Sequence, residues 1–180
     1  RSTRANHLNS GGSLGLDLNG QGMVARVWDG GTVRSSHNLF SGRVTVVDDP
    51  SSTTYAAHGT HVTGTIMASN ANANTKGMAY MAQARTFEWT DDNSEALSEV
   101  QLGMLISNHS YGVPITGTTG VLPSWYIGSY TQDARDWDEI AYASPYYLAV
   151  LSAGNEGQSN ANPDPLAFGY DKLTGNKVSK

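Results

Sequence analysis

An alternation of apolar runs and amphipathic stretches most strongly limits how this chain can fold. MVARVWD at 23–29 is an apolar, β-rich run bounded by glycines, and GRVTVVDD at 42–49 has a similar character. Two stretches have apolar residues at helical spacing: 131–144, and 94–106, whose predicted apolar face is formed by Ala96, Leu97, Val100, Met104 and Leu105. They lead into further apolar runs, YYLAVLS and ISNHSYG respectively. Strands that are apolar on both faces and alternate with helices are typical of parallel sheets. We therefore predict an α/β fold, a parallel sheet flanked by helices on both faces.

Polar side chains follow several of the predicted strands. Asp29 ends the first strand, the segment 108–112 ends a later one, and Asn155 lies in the turn AGNEG after the last. The carboxyl ends of parallel strands lie at one edge of a sheet, where functional groups gather. We expect the functional site at this edge.

Two histidines, His58 and His61, lie three residues apart in YAAHGTHVTGTIMA, where a helix is predicted to begin near His58. A zinc site would favour histidines four residues apart, a neighbouring glutamate and a third ligand, which this stretch lacks. A satisfied core histidine is the ordinary interpretation of either residue alone. A histidine can also act as a general base if a carboxylate orients it and a donor receives the oxyanion, roles open to Asp29 and Asn155.

Charge and composition argue against several classes of partner and chemistry. The chain has 11 Lys and Arg against 16 Asp and Glu, a net charge of −5, and no basic cluster that would bind nucleic acid. No run reaches the roughly 18 apolar residues that cross a bilayer, so no membrane partner is expected. Cysteine is absent, which excludes a cysteine nucleophile and thiolate metal ligands.

Five segments in a fixed order carry a family resemblance: GQGMVARVWDGG, HGTHVTGTIMA, KGMAYMAQ, ISNHSYG and VLSAGNEG. Together they resemble the motifs of the subtilisin-like serine proteases, the subtilases, over roughly residues 20–157. The resemblance implies a subtilisin-like sheet in which Asp29 orients His58, His58 is the general base and Asn155 is the oxyanion donor. It also implies that His61 is structural and packs.

The resemblance further implies how a protein or peptide substrate binds. The substrate would pair as an added strand beside one segment, and its P1 side chain would enter a pocket next to that segment. Glu156, at the expected mouth of this pocket, either favours basic or polar P1 residues or is a solvated turn residue. The residues expected to contact substrate are Ser110, Tyr111, Gly112, Ala153, Gly154 and Glu156.

The family's nucleophile lies in a motif of the G-T-S-M-A type, which these 180 residues do not contain. Ser110 and Ser152 match positions used for substrate and backbone contacts, so neither is assigned as the nucleophile. We expect residues 1–180 to be the N-terminal portion of a single peptidase domain, with an incomplete fold and no activity alone. A few hundred Å² of uncovered apolar surface would cost several kcal/mol at about 25 cal/mol per Å². The chain is therefore expected to fold with a second polypeptide that carries the serine.

Four residues depart from the family pattern, and one of them, Val113, stands where a second glycine is common, so a narrower pocket is expected. Gly30 follows the aspartate where Ser or Thr is usual, and the bulky Trp28 precedes it, so weaker support of Asp29 is expected. His109 replaces a commonly apolar residue.

Two functions from different classes follow. The leading hypothesis is a secreted serine endopeptidase that uses a Ser/His/Asp triad, and the alternative is a non-catalytic subtilase-like domain that binds peptides or partners. Many subtilases bind calcium, so a structural Ca²⁺ is expected, although its ligands stay unassigned. The asparagine-rich segment 69–77 contains no carboxylate, and Asp17 or Asp48 would have to contribute.

Overall fold

The computed structural model describes residues 3–70, 72, 74–113, 116–117, 120–121, 126 and 129–155. The strands are β1 (Val24–Asp29), β2 (Val44–Val46), β3 (Gln83–Glu88), β4 (Ile106–His109), β5 (Thr116–Gly117), β6 (Gly120–Val121) and β7 (Leu148–Leu151). The helices are α1 (Ala57–Met67), α2 (Asp92–Gln101) and α3 (Gln132–Ala143). Short 3₁₀ turns occupy Ala5–His7, Asn38–Phe40 and Trp89–Asp91.

Five strands form one parallel sheet in the order β2-β3-β1-β4-β7, and β5 and β6 form a small antiparallel pair. The prediction of a parallel α/β fold is confirmed. β1 lies at the centre, so Asp29 at its carboxyl end is at the middle of the functional edge. The sequence analysis did not predict β3 as a strand, although β3 joins β1 to β2.

Helices cover both faces of the sheet, and each face has its own core. α1 lies on one face, over a core formed by Val33, Phe40, Val44, Met67, Ala82 and Ala84. α2 and α3 pack together on the other face, over a core formed by Trp28, Phe87, Ala96, Met104, Trp137 and Ile140. Because side chains alternate along a strand, Trp28 and its neighbour Asp29 point to opposite faces.

The predicted apolar face of α2 is only partly correct. Ala96 is buried, but Leu97 is exposed, and Glu99 is buried in its place. Glu99 accepts hydrogen bonds from Arg26 at 2.9 Å and from Arg85 at 2.7 Å, and both arginines come from strands beneath the helix. These two guanidinium groups hold the pKa of Glu99 below its usual value, against the opposing effect of burial.

Part of the α1 face is uncovered among the described residues. Ile106 of β4 pairs with Leu148 of β7, and Val150 lies two residues further along the same face. All three side chains are exposed, Leu148 to 60%. A groove of about 350 Å³ runs between two of them, Ile106 and Val150, and Ile66 of α1, and its lining surface is almost entirely apolar. None of the helices in the described ranges is long and apolar enough to cross a membrane.

Candidate active site

Asp29 and His58 meet at the carboxyl edge of the sheet, as predicted. The His58 Nδ1 atom lies 2.8 Å from Asp29 Oδ1 and 2.9 Å from Oδ2. Nδ1 donates to the carboxylate, so the neutral imidazole presents Nε2 as an acceptor. The Asp29 side chain is only 3% exposed, whereas that of His58 is 63% exposed. A buried carboxylate therefore orients an accessible imidazole, the arrangement a general base needs.

Local packing brings the helix to the strand. The Thr60 hydroxyl donates to the Ala56 carbonyl at 2.7 Å and accepts from the Arg34 backbone N–H at 3.0 Å, which ties the first turn of α1 to the segment after β1. Gly59 lies directly against Asp29, and a Cβ atom placed there would come within 3.1 Å of the Asp29 Cβ atom. Glycine thus permits the close approach that places His58 on Asp29.

Of the two neighbours expected to weaken the support of Asp29, Trp28 does not, because it points to the opposite face and does not crowd the site. Gly30 offers no side-chain hydroxyl, but its backbone N–H donates to Asp29 Oδ1 at 2.8 Å. Residue 30 must be small because the indole of Trp89 packs on it, and an added Cβ atom would lie 2.8 Å from that ring. Trp89 also contacts Tyr111, with 5.3 Å between ring centroids, and sequence reasoning missed it because nothing in its local pattern indicates a role.

His61 does not pack, contrary to expectation. It is exposed on α1 and lines a cavity of about 760 Å³ together with Arg34, His37 and Tyr55. His58 contacts Asp29 at the start of α1, whereas His61, about one turn later, lines this cavity. The two histidines thus have different environments.

The segment Ser110, Tyr111 and Gly112 follows β4 at the same edge. The Asn108 side-chain amide donates to Ser110 Oγ at 2.9 Å, and the Ser152 hydroxyl donates to the Tyr111 carbonyl at 3.2 Å. Gly112 is exposed. Hydrogen bonds from Asn108 and Ser152 hold the segment, and its Gly112 is exposed to solvent. A strand that receives a peptide needs both features.

The turn after β7 carries the remaining predicted residues. Ala153, Gly154 and Asn155 are exposed, and Gly154 has φ = +88°, a conformation that favours glycine. This turn lies at the same edge of the sheet as Asp29, since β1 and β7 are parallel members of one sheet. Glu156 lies outside the described residues.

The residues considered for calcium have other partners. Asp17 accepts hydrogen bonds from Ser10 and Asn19, and Asp48 accepts from the Glu88 backbone N–H. Asn70 Oδ1 accepts from the backbone of Asn72 at 3.1 Å. Within the ranges described, no three His, Cys, Asp or Glu side chains are grouped to hold a metal ion. These hydrogen bonds are all to protein partners, and no calcium ligand is assigned among these residues.

The fold and the Asp29–His58 pair define the class, an α/β domain in which one edge of a parallel sheet brings a buried carboxylate against an exposed imidazole. Residues 20–177 match the model of the subtilase family, the peptidase family S8. The chain belongs to the subtilase family.

Known proteins agree with this assignment over part of their length. An Aeromonas extracellular serine protease from Aeromonas sobria is 35% identical over an alignment that covers 58% of this chain and 21% of that protein. The structure of the self-cleaved protease domain of PatA has a TM-score of 0.53, with 21% identity, and covers 78% of this chain and 52% of its own. The structure of the prenylagaramide maturation protease PagA has a TM-score of 0.55, with 19% identity, and covers 78% of this chain and 49% of its own. The chain spans about a fifth of the curated relative and about half of these solved domains.

Proposed function

We propose that this chain supplies the aspartate and histidine of a serine endopeptidase that hydrolyses peptide bonds in proteins. The observation that carries the proposal is the two-oxygen contact of buried Asp29 with His58 Nδ1, which leaves Nε2 accessible. Membership of the subtilase family supports the same reaction. The 180 residues contain no motif of the nucleophile type, so the serine comes from a segment outside this sequence or from a second polypeptide.

In the proposed mechanism, His58 Nε2 accepts the proton of the serine hydroxyl as its oxygen attacks the peptide carbonyl carbon. Asp29 stabilises the imidazolium that forms, and its two oxygens prevent the ring from rotating. The proton then passes from Nε2 to the leaving amine, which departs as the acyl-enzyme forms. Asn155 is proposed to donate to the oxyanion from its side-chain amide.

The proposed substrate is an extended peptide that pairs with the backbone of Ser110, Tyr111 and Gly112. Ala153 and Gly154 are proposed to line the P1 pocket, and Glu156 to lie at its mouth. Exposure of Gly112, Ala153 and Gly154 at the functional edge supports this assignment. A β-strand mode of binding uses main-chain hydrogen bonds for affinity and pockets for selectivity.

The uncovered face of β4 and β7 supports a further part of the proposal. The nucleophile-bearing segment is proposed to cover Ile106, Leu148 and Val150, beside α1. Burial of this apolar surface would stabilise the domain. It would also bring the serine next to α1, over the exposed face of β4 and β7. Residues 1–180 alone are proposed to be inactive.

Two environmental proposals accompany the reaction. Secretion is supported by the extracellular relative from Aeromonas sobria. A structural calcium ion is proposed only from the family resemblance, and its ligands stay unassigned. Chelation with EGTA should lower the melting temperature of the full-length protein, and an unchanged melting temperature would contradict calcium binding.

Labelling with a fluorophosphonate probe tests the reaction, since only an activated serine reacts quickly. Intact mass spectrometry of the full-length protein should show one added probe mass. His58→Ala should slow labelling by about 10³-fold or more, whereas His61→Ala, on the same helix but turned away from Asp29, should retain it. A folded protein that is not labelled would contradict the proposal and favour the non-catalytic, peptide-binding alternative.

A further inference from the structure

A chain of four hydrogen bonds lies behind the proposed substrate segment, on the α2 and α3 face. Tyr111 Oη lies 2.6 Å from Asp92 Oδ2 and 2.8 Å from His109 Nδ1. Ser107 Oγ lies 2.7 Å from His109 Nε2 and 2.6 Å from Tyr147 Oη. His109 is fully buried, and Asp92 and Ser107 are nearly so. The chain thus connects the N-terminus of α2 to β4 and to the segment before β7.

The Asp92 carboxylate determines the direction of the first two bonds, and a neutral His109 ring sets the direction of the other two. The Asp92 carboxylate only accepts, so the single hydroxyl proton of Tyr111 goes to Asp92. Tyr111 Oη must then accept from His109, which places the imidazole proton on Nδ1. The Nε2 atom of the neutral ring accepts from Ser107, and Ser107 accepts from Tyr147. All four bonds point toward Asp92, an arrangement in which each bond polarises the next.

The titration of both phenols agrees with these donor roles. Burial, with the hydrogen bond to Asp92, raises the pKa of Tyr111 far above its usual value. Burial likewise raises the pKa of Tyr147 to about 12. Both phenols therefore keep their protons throughout the pH range in which a protease would act.

The four hydrogen bonds lie next to residues 110–112, the segment proposed to pair with substrate, and hold its backbone. Residues 110–112 extend beyond the end of β4, so the ladder with β7 does not hold them. His109 and Tyr111 face inward into the chain, and Ser110 lies between them with its hydroxyl bound to Asn108. The side chain of Tyr111 thus anchors the backbone that a peptide would pair with. Binding is stronger when the receiving strand is already ordered.

We propose that Asp92, His109 and Tyr111 are positioning residues that hold segment 110–112 in the conformation that receives an extended peptide. This inference rests on the proposed function. These hydrogen bonds should favour the turnover of substrates that are long enough to pair as a strand. They should matter much less for a short ester that reaches only the triad. Tyr111→Phe removes the hydroxyl that joins Asp92 to His109 and keeps the ring against Trp89. Asp92→Asn keeps the shape of the acceptor but removes its charge.

The test compares kcat/KM for a peptide of four or more residues with kcat/KM for a single-residue ester, in the full-length protein. Tyr111→Phe should lower the peptide-to-ester ratio roughly tenfold, mainly through KM, and Asp92→Asn by a smaller factor. Tyr147→Phe, which removes the donor at the far end of the chain, is the matched control and should leave the ratio within about twofold. An unchanged ratio in Tyr111→Phe, or an equal fall in Tyr147→Phe, would overturn the proposal.

A second measurement does not depend on turnover. Long-range ¹H–¹⁵N spectra of the full-length protein should show His109 as the Nδ1–H tautomer, and Tyr111→Phe should shift its resonances. An Nε2–H tautomer would overturn the direction of the chain and with it the role of Asp92. Fluorophosphonate labelling separates the two proposals: no labelling refutes the protease reaction, whereas labelling with an unchanged ratio refutes only the positioning role.

Discussion

Gly59 offers the most direct test of how the Asp29–His58 pair is assembled. An alanine methyl group at residue 59 would lie 3.1 Å from Asp29 Cβ, 3.3 Å from Asp29 Cγ and 3.4 Å from Val33 Cγ2. These contacts are tighter than ordinary carbon contacts of about 3.5 to 4.0 Å. Helix α1 and strand β1 would have to separate by a few tenths of an ångström, and the Asp29 carboxylate would move with them.

Gly64, one and a half turns later on the same helix, provides a matched control. A methyl group there would have the Phe40 ring as its nearest neighbour, at 3.9 Å. Replacing a helical glycine with alanine stabilises by about 0.5 to 1 kcal/mol when space is available. Overpacking costs about 1 to 3 kcal/mol. Gly64→Ala should therefore raise the free energy of unfolding, whereas Gly59→Ala should lower it by about 1 kcal/mol.

Activity should separate the two variants more clearly than stability. Misplacement of a catalytic group by 1 Å can cost about 100-fold in rate, so a shift of a few tenths of an ångström should cost Gly59→Ala about tenfold in kcat. Gly64→Ala should retain wild-type kcat. The measurements are thermal unfolding and kcat for the full-length protein with a peptide substrate. Wild-type kcat in a folded Gly59→Ala protein would refute the claim that this approach positions Asp29.

Three further predictions concern single side chains. Burial raises the pKa of Glu95 to about 7, so its ionised form destabilises the fold above pH 7 and this cost disappears as the pH falls toward 4.5. Glu95→Gln should therefore stabilise by about 1 kcal/mol at pH 8, allowing for solvent screening, and have little effect at pH 4.5, as measured by urea unfolding. Asn155→Ala should lower kcat by about 100-fold to 1000-fold, a figure established for subtilisin and borrowed here, and a loss under about threefold would remove Asn155 from the oxyanion role. Gly30→Ala should displace the Trp89 indole and lower kcat/KM about threefold with a small change in stability, and unchanged tryptophan fluorescence would contradict this packing.

The sequence alone predicted the features that depend on local pattern. Apolar runs and helical periodicity predicted the parallel sheet, α1 near His58, and helices within 94–106 and 131–144, which the structure has at 92–101 and 132–143. The order of Asp29 and His58 along the chain, with their motifs, predicted a contact that the structure contains. This contact follows from the topology, because β1 lies at the centre of the sheet and α1 lies over it, which brings Asp29 and His58 to one edge.

Features that depend on tertiary partners could not be predicted in this way. The helical pattern of α2 placed Leu97 on the buried face, but Arg26 and Arg85 beneath the helix select Glu99 instead. His61 was expected to pack because the family motif implies a structural role for it, yet its side chain is exposed on α1, as is that of His58. β3 reads QARTFE, with polar residues at four of its six positions, so its sequence lacks the continuous apolar run that indicated the other strands.

The strand register explains why Trp28 and His109 both depart from the family pattern. Trp28 lies directly opposite Phe87 on β3 and His109 on β4. The indole stacks on Phe87 with centroids 4.4 Å apart and on His109 with centroids 5.1 Å apart, and both ring pairs are within 12° of parallel. An apolar aliphatic residue at 109 would lose this stack and the donor that Tyr111 accepts from. The departures at 28 and 109 are therefore one cross-strand packing solution, which couples the strand that carries Asp29 to the segment proposed to receive the substrate.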